Sequence, residues 1–231
     1  MGPLSKVDAI VIGGLDYGES DRIVHILSPE HGRISLMARR ARSRKKRHGG
    51  ILELGNRVSL ELREGRGRLA TLDQAQLRDG RVRIRSDLDR IALLAYGIEI
   101  CGALAREHHP EPRLFGLLET MALILDALDH PPRSAFRLGL EAKALTFAGL
   151  APVLSRCARC EGPLAPKMGW SYSAGGAVHL DCEASERDIE SAWLEDVEAA
   201  RRSPLKDVVD PDIEPGPAWL LSETIAAHLG R

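Results

Sequence analysis

The sequence predicts an α+β chain with more than one domain: a small five-stranded antiparallel barrel, then a helical domain into which a cysteine-rich module is inserted. Short runs rich in β-branched residues fill the first part of the chain, separated by Gly, Pro and charged residues. Helical periodicity begins after Arg85 and is interrupted once by a stretch rich in Gly, Pro and Cys. We therefore expect a barrel domain at 1–80, a helical domain at 81–231 and the inserted module at about 153–185.

Five candidate strands make up the predicted barrel. Gly13-Gly14, Pro29 to Gly32 and Glu64 to Gly67 supply turn residues, and no long helix intervenes, which predicts antiparallel pairing. An OB-like five-stranded barrel is the most economical arrangement of such strands. The candidate strands are VDAIVIG, RIVHILS, RISLMA, RVSLEL and RLATLDQA.

Charge is distributed unevenly along the chain. The net charge is −1, yet residues 1–85 carry 18 Lys and Arg against 10 Asp and Glu, whereas the remainder carries 14 against 23. A basic front half is typical of a polyanion-binding module. Because the chain has neither a secretory leader pattern nor an apolar run long enough to span a membrane, we expect a cytoplasmic protein.

The densest basic run, residues 39–47, is the candidate DNA-binding segment. Seven of its nine residues are Lys or Arg, and like charges at that density repel one another until phosphates neutralise them and release counterions. Tyr17 is the only aromatic residue in 1–85, so binding should be mainly electrostatic and nearly indifferent to single or double strands. The predicted DNA-binding residues are Arg39, Arg40, Arg42, Arg44, Lys45, Lys46, Arg47, Arg57, Arg66 and Arg68.

Helices are predicted after Arg85 from apolar residues that recur at three- and four-residue steps. Ser86 is the candidate N-cap of the first helix. Cys101 falls on the apolar stripe of this helix, which predicts a small core residue, and His108-His109 should lie at a helix-end surface. The first stripe comprises Leu88, Ile91, Ala92, Ala95, Ile98 and Gly102. Further stripes cover Leu114 to Leu128, Ser134 to Ala148, Ile189 to Ala200 and Trp219 to Leu229.

Two residue pairs predict a metal site. In Cys157-Ala-Arg-Cys160 and in His179-Leu-Asp-Cys182 the members are separated by two residues, and eighteen residues lie between the pairs. A tight turn lets both sulfurs of a C-x-x-C unit face one ion, and the second pair completes a tetrahedron. We interpret these four residues as the ligands of one structural zinc ion.

Other interpretations of this motif remain open. A redox C-x-x-C would need flanking elements of thioredoxin type, which the surrounding prolines do not favour. Asp181 is the alternative to His179 as the fourth ligand. A catalytic zinc would keep an open coordination position and a nearby general base, and no H-x-E or HExxH signature occurs, so we expect no enzyme.

Three passages of the sequence resemble the RecO family of bacterial recombinational repair proteins, and together they span most of the chain. They are AIVIGGLDYGESDRIVHILSPEHGRISLMARRARSRKKRHGG, LGLEAKALTFAGLAPVLSRCARC and GGAVHLDC. The resemblance implies an OB domain, a helical domain and a zinc-binding module within the latter. Many members of the family carry cysteine where this sequence has His179.

The resemblance also implies a function. A RecO-like protein binds single- and double-stranded DNA, anneals complementary strands, associates with RecR and helps RecA replace single-strand-binding protein on DNA. A contact of the helical domain with the acidic tail of single-strand-binding protein is implied too, with Arg133, Arg137 and Lys143 as candidate cations. The alternative is a zinc-bearing protein-interaction adaptor whose basic run contacts acidic partners, and a metal-dependent hydrolase ranks last.

Overall fold

The fold is taken from a computed structural model that describes residues 4–41, 50–63, 69–212 and 215–230. The chain divides into two compact units, Met1–Asp129 and His130–Arg231. None of the helices in these ranges combines the length and apolarity that a membrane span requires.

The first unit contains a closed barrel of five strands, which confirms the predicted fold class. The strands are β1 (Leu4–Tyr17), β2 (Asp21–Ser28), β3 (Gly32–Ala38), β4 (Arg57–Arg63) and β5 (Ala70–Asp79). Around the barrel the order is β1-β2-β3-β5-β4, and neighbouring strands are antiparallel except β3 and β5.

Alternate residues of each strand fill the barrel, as the period-two pattern requires. Val24 and Ile26 of β2 face Ile34 and Leu36 of β3 in one cluster with the inward residues of the other strands. All four are at most 9% exposed. The barrel interior is therefore a packed aliphatic core.

The glycine pair Gly13-Gly14 was predicted to form a turn, and this prediction is wrong. Both residues lie inside β1, and the pairing with β2 shifts register between Val11 and Gly13, as at a β-bulge. A Cβ on Gly14 would lie 2.8 Å from the carbonyl oxygen of Ile23, so this position needs glycine for close backbone approach. The chain turns after Tyr17 instead.

Two helices complete the first unit, α1 (Leu88–Leu104) and α2 (Pro112–Ala127), preceded by a short 3-10 turn. The N-cap of α1 is Asp87, whose side chain accepts a hydrogen bond from the backbone N–H of Arg90, and not the predicted Ser86. The predicted apolar stripe of α1 is wrong at its start, because Leu88 and Ile91 are 79% and 42% exposed.

The second unit consists of three longer helices and a small sheet. The helices are α3 (Ser134–Phe147), α4 (Ser191–Arg202) and α5 (Pro215–His228), with a 3-10 turn after α4. The strands of the sheet are β6 (Lys167–Ser171), β7 (Gly176–Val178) and β8 (Arg187–Glu190). They are antiparallel, in the order β7-β6-β8. The sequence predicted the helices here and a loop-like insertion, but not the sheet.

The first compact unit extends beyond the predicted domain edge at residue 80. Strands give way to helices there, but Arg81 is 1% exposed and its guanidinium donates to Asp79 at 2.7 Å and to Glu119 at 2.7 Å. This buried arginine joins the end of β5 to α2. The two helices therefore belong with the barrel in packing, although the secondary structure changes near residue 80.

Candidate metal centre and nucleic-acid interface

The four predicted metal ligands come together at one point of the second unit. The ligand atoms of Cys157, Cys160, His179 and Cys182 all lie within 4.8 Å of one another. Asp181, the alternative ligand, is not in this cluster. The sequence spacing therefore brings together the intended groups from two chain segments that lie about twenty residues apart.

Two tight turns present these side chains. In the first, the N–H of Glu161 donates to the Cys157 carbonyl at 3.0 Å, and the N–H of Cys157 donates to the Gly162 carbonyl at 2.9 Å. A Cβ on Gly162 would lie 3.3 Å from both Cys160 Sγ and His179 Cε1, so glycine leaves the space the ligands occupy. In the second, the N–H of Cys182 donates to the His179 carbonyl at 2.9 Å.

The orientation of His179 is set by a backbone carbonyl. Its Nε2 lies 2.8 Å from the carbonyl oxygen of Pro163, which only accepts, so Nε2 carries the proton and Nδ1 presents its lone pair. Nδ1 lies 3.3 Å from Cys160 Sγ and 3.6 Å from Cys182 Sγ. The imidazole therefore offers Nδ1 to an ion at the centre of the cluster.

The thiols of the cluster differ in their tendency to ionise. Burial disfavours the thiolate of Cys157, but backbone N–H groups of Cys160, His179 and Arg159 donate to it and lower its pKa to about 6. The pKa of Cys182 is raised to about 11 by hydrogen bonding to Cys160, by desolvation and by the charge of the other thiols. All three cysteines can be thiolates at this spacing only if a cation lies among them.

The donor set and its spacing fit zinc. Bonds of about 2.3 Å to sulfur and about 2.0 Å to nitrogen separate the ligand atoms of a tetrahedral zinc by roughly 3.5–3.8 Å. The His179 contacts to Cys160 and Cys182 fall near this range. Three sulfurs and one imidazole fill a tetrahedral sphere, which is the arrangement of a structural site.

A carboxylate missed in the sequence supports the second ligand pair. Glu183 accepts hydrogen bonds from Ser171 Oγ at 3.0 Å and Ser173 Oγ at 2.6 Å, and it pairs with Arg159 between the two cysteines of the first turn. This network links both ligand turns to β6. Its members are distant in sequence and have no characteristic spacing, so no local pattern could have revealed them.

The described part of the predicted DNA-binding set lies in two places. Arg39 and Arg40 follow β3 and are exposed, and the backbone N–H of Arg40 donates to Asp21 Oδ1 at 2.8 Å. Arg57 lies at the start of β4. The other members fall outside the described residues: Arg42, Arg44, Lys45, Lys46, Arg47, Arg66 and Arg68.

Arg57 already has structural partners. Its Nη2 donates to Asp8 at 2.9 Å, and its guanidinium lies 4.5 Å from the centroid of the Phe115 ring. Only 18% of its side chain is exposed. These contacts join the barrel to α2 and leave Arg57 with less freedom to contact a phosphate than Arg39 and Arg40 have.

The three cations of the second unit that the resemblance singled out are also engaged. Arg133 pairs with Asp212 at 2.6 Å, and Arg137 pairs with Glu141 at 2.8 Å. Lys143 Nζ donates to the carbonyl oxygens of Ala200 and Arg201 at the end of α4. Each of the three contributes to packing or to helix capping.

The remaining candidates behave as the sequence predicted. Cys101 is fully buried, and burial raises its pKa to about 12, so it is a core residue and a poor nucleophile. His108 and His109 are exposed between α1 and α2, and His109 Nδ1 contacts the Glu107 carbonyl at 2.8 Å.

Two family models together match most of the chain. Residues 1–81 match a model described as recombination protein O N terminal, and residues 85–199 match one described as recombination protein O C terminal. The first model ends at residue 81 and the second begins at residue 85.

Curated relatives from several bacteria carry the name DNA repair protein RecO. The chain is 37% identical to the DNA repair protein RecO of Myxococcus xanthus strain DK1622, over 97% of this chain and 92% of that one. It is 41% identical to the DNA repair protein RecO of Anaeromyxobacter dehalogenans strain 2CP-1, over 77% and 70%. The corresponding protein of Pelobacter propionicus is 38% identical over 82% and 76%.

Proposed function

Because this chain belongs to the RecO family of DNA repair proteins, we propose that it is a non-enzymatic recombination mediator that binds single- and double-stranded DNA and anneals complementary strands. With RecR, it would help RecA load onto DNA coated by single-strand-binding protein. A role in DNA repair follows from family membership. The binding and annealing steps are inferred from the basic residues of this chain together with what its membership of the family implies.

The observation that carries the proposal is the basic run at residues 39–47, which holds seven cations in a front half rich in Lys and Arg. Annealing brings two phosphate backbones together against their mutual repulsion. Cations held beside both strands lower this barrier, and counterion release supplies binding free energy without any sequence preference. Arg39 and Arg40, exposed directly after β3, begin the run.

One zinc ion would hold the two ligand turns of the second unit together. Cys157, Cys160, His179 and Cys182 would bind it, with Pro163 fixing the imidazole tautomer. When bound, the metal supplies a structural crosslink between chain segments. We assign no reaction to it, because four protein ligands complete the coordination sphere.

The experiment that tests the proposal is a titration of labelled single-stranded and duplex DNA followed by fluorescence anisotropy across a salt series. We expect both to bind at low salt, and affinity to fall steeply as salt rises. A variant with Arg42, Arg44, Lys45 and Lys46 changed to Ala should bind at least about tenfold more weakly, with a shallower salt dependence. It should also anneal complementary strands more slowly.

The matched control removes four exposed cations elsewhere, at Arg113, Arg156, Lys167 and Lys206. It changes net charge by the same amount, and it should bind and anneal like the wild type. If the wild type binds no DNA even at low salt, the mediator proposal fails and the basic run is a contact for an acidic protein partner. Equal loss of DNA binding in both variants would mean that the run acts only through the net charge of the protein.

A further inference from the structure

Helix α1 carries apolar side chains on its outward side as well as on its buried side. Leu88 is 79% exposed and Ile91 is 42% exposed, whereas Ala92 is exposed and Ala95 is half-buried. These four residues recur at steps of three and four, so they form one line along the helix. We name them the exposed stripe. Large apolar side chains grouped on the surface of a helix are typical of a contact with another protein.

The opposite side of α1 packs within the first unit. Leu94 and Ile98 are buried there, and a Cβ added to Gly55 would lie 2.6 Å from Leu94 Cδ2. Arg90 also belongs to this side, because its Nη1 donates to the Leu125 carbonyl of α2 at 2.9 Å. The segment before β4 and the helix α2 therefore cover the buried side of α1, and the exposed stripe faces away from them.

The exposed stripe is complementary in shape to a second copy of itself. Its large residues, Leu88 and Ile91, precede its small ones, Ala92 and Ala95. We consider two such helices packed antiparallel about a two-fold axis between positions 91 and 92. Leu88 of one copy then lies opposite Ala95 of the other. By the same rotation, Ile91 lies opposite Ala92. Each large side chain meets a small one, so the two helices can approach closely.

The charges at the two ends of the stripe match the same arrangement. Glu99 is exposed one turn beyond Ala95, and the exposed Arg85 precedes α1. Arg85 is held in place, because its Nε donates to the Gly80 carbonyl at 2.9 Å and its Nη2 donates to Asn56 Oδ1 at 2.7 Å. Positions 85 and 99 lie nearly equally far from the axis, on opposite sides of it. An antiparallel pair therefore brings Arg85 of each copy towards Glu99 of the other, whereas a parallel pair would bring like charges together.

We propose that two copies of this chain associate through the exposed stripe, as an antiparallel pair of α1 helices on a two-fold axis. One pair of helices covers less area than an interface of standard size, which buries about 1,600 Å². The dimer should therefore be weak, with a dissociation constant on the order of 10 µM. Each dimer would carry two basic runs, one from each copy.

The first test is analytical ultracentrifugation of the whole chain. Over about 1–200 µM the wild type should pass from monomer to dimer. Leu88→Glu combined with Ile91→Glu brings like charges into the helix contact, and this variant should remain a monomer. Thr120→Glu combined with Leu123→Glu is the matched control, since both residues are exposed on α2 and the added charge is the same. The control should dimerise like the wild type. Circular dichroism and thermal unfolding should show all three proteins equally folded.

The second test examines the antiparallel geometry. Ala92 lies beside the proposed axis, so the two new thiols of Ala92→Cys should meet across it. Oxidation by diamide should then link the copies through a disulfide, and mass spectrometry should identify a peptide joined at position 92 of both. Asp89→Cys is the control, because the two exposed positions 89 would lie about 7 Å apart along the helix axes. It should form no more linked dimer than the wild type.

Three results would overturn the inference. A wild type that stays monomeric up to about 200 µM would show that a second copy does not cover the stripe. A dimer that persists in the variant with Glu at 88 and 91 would place the contact elsewhere on the chain. A dimer without a link at position 92 would contradict the antiparallel pairing. None of these results bears on DNA binding, so the inference can fail while the proposed function stands.

Discussion

The imidazole of His179 is held on both sides, by the Pro163 carbonyl at Nε2 and by two cysteine sulfurs near Nδ1. This arrangement lets a histidine complete a ligand set whose other three members are cysteines. With zinc bound, the ring would supply a neutral donor, and the three thiolates would give the complex a net charge of about −1.

Replacing His179 tests this assignment. His179→Gln removes the nitrogen ligand, and we expect zinc content to fall from about one ion per chain to well below half, with a lower melting temperature. His179→Cys supplies a fourth sulfur ligand and should retain zinc. The measurements are elemental analysis of the purified protein and thermal unfolding. Full zinc retention by the Gln variant would contradict the assignment and return Asp181 as a candidate.

At the scale of single residues, the sequence predicted the groups that a short residue spacing brings together. Cys157, Cys160, His179 and Cys182 were identified because each pair makes a local turn. The Glu183 network and the Pro163 carbonyl were missed, since they depend on which segments β6 and β7 bring together. Arg57 was identified as a cation, but its pairing with Asp8 and Phe115 depends on tertiary packing.

Among the secondary-structure elements, α1 shows where periodicity fails. This helix is rich in apolar residues on more than one face, so the sequence pattern cannot choose which face is buried. The buried face includes Arg90, whose Nη1 donates to the Leu125 carbonyl near the end of α2 at 2.9 Å. Arg90 therefore lies in the buried face of α1, whereas Leu88 and Ile91, which the hydrophobic pattern placed there, are exposed.

The five strands were predicted well, because their β-branched runs and the turns after them are local signals. Strand β1 is longer than predicted, because a bulge lets it continue through the glycine pair. The sheet β7-β6-β8 was not predicted, since its strands have only three to five residues and include Gly and charged positions.

The contact between the β2–β3 turn and the segment that joins α1 to α2 depends on one glycine. Gly32 has φ +61°, and a Cβ there would overlap the carbonyl oxygens of His109 and Arg106. We expect Gly32→Ala to lower the free energy of unfolding by about 2 kcal/mol or more. Urea unfolding measures this.

Gly116 supplies the matched control for that substitution. It lies inside α2 with nothing near the site of a Cβ, so Gly116→Ala should stabilise the protein by about 0.5–1 kcal/mol. A Gly32→Ala protein as stable as the wild type would show that the turn and the interhelical segment separate easily.

For the molecule as a whole, the division into two units separates the proposed tasks. The basic run belongs to Met1–Asp129, and the metal cluster belongs to His130–Arg231. The sequence predicted this separation from charge and cysteine positions. It did not predict that α1 and α2 would pack with the barrel, because contacts such as that of Arg81 with Glu119 are not encoded in local patterns.

Metal removal should therefore affect one unit selectively. Trp170 is buried on β6, where Nε1 donates to Thr224 at 3.1 Å, and Trp193 contacts Trp219 edge-to-face. We expect a strong chelator to shift tryptophan emission to longer wavelength, because the sheet loses its crosslink to the ligand turns. DNA affinity should change less than about twofold.

A Cys157→Ser variant is the control for chelation. It should show the altered emission from the start and no further response to the chelator. Emission that does not change in the wild type after complete zinc removal would mean that the second unit holds its fold without metal.

The strand order of the closed barrel also limits when the barrel can fold during synthesis. Strand β1 pairs with β4 as well as with β2, and β5 closes the ring against both β3 and β4. A nascent chain leaving the ribosome can form the hairpin of β1 and β2 early, but its strand edges stay unpaired until residue 79 has emerged. The barrel can therefore close only after residue 79 has left the ribosome, and until then its unpaired strand edges and aliphatic residues are open to association with other chains.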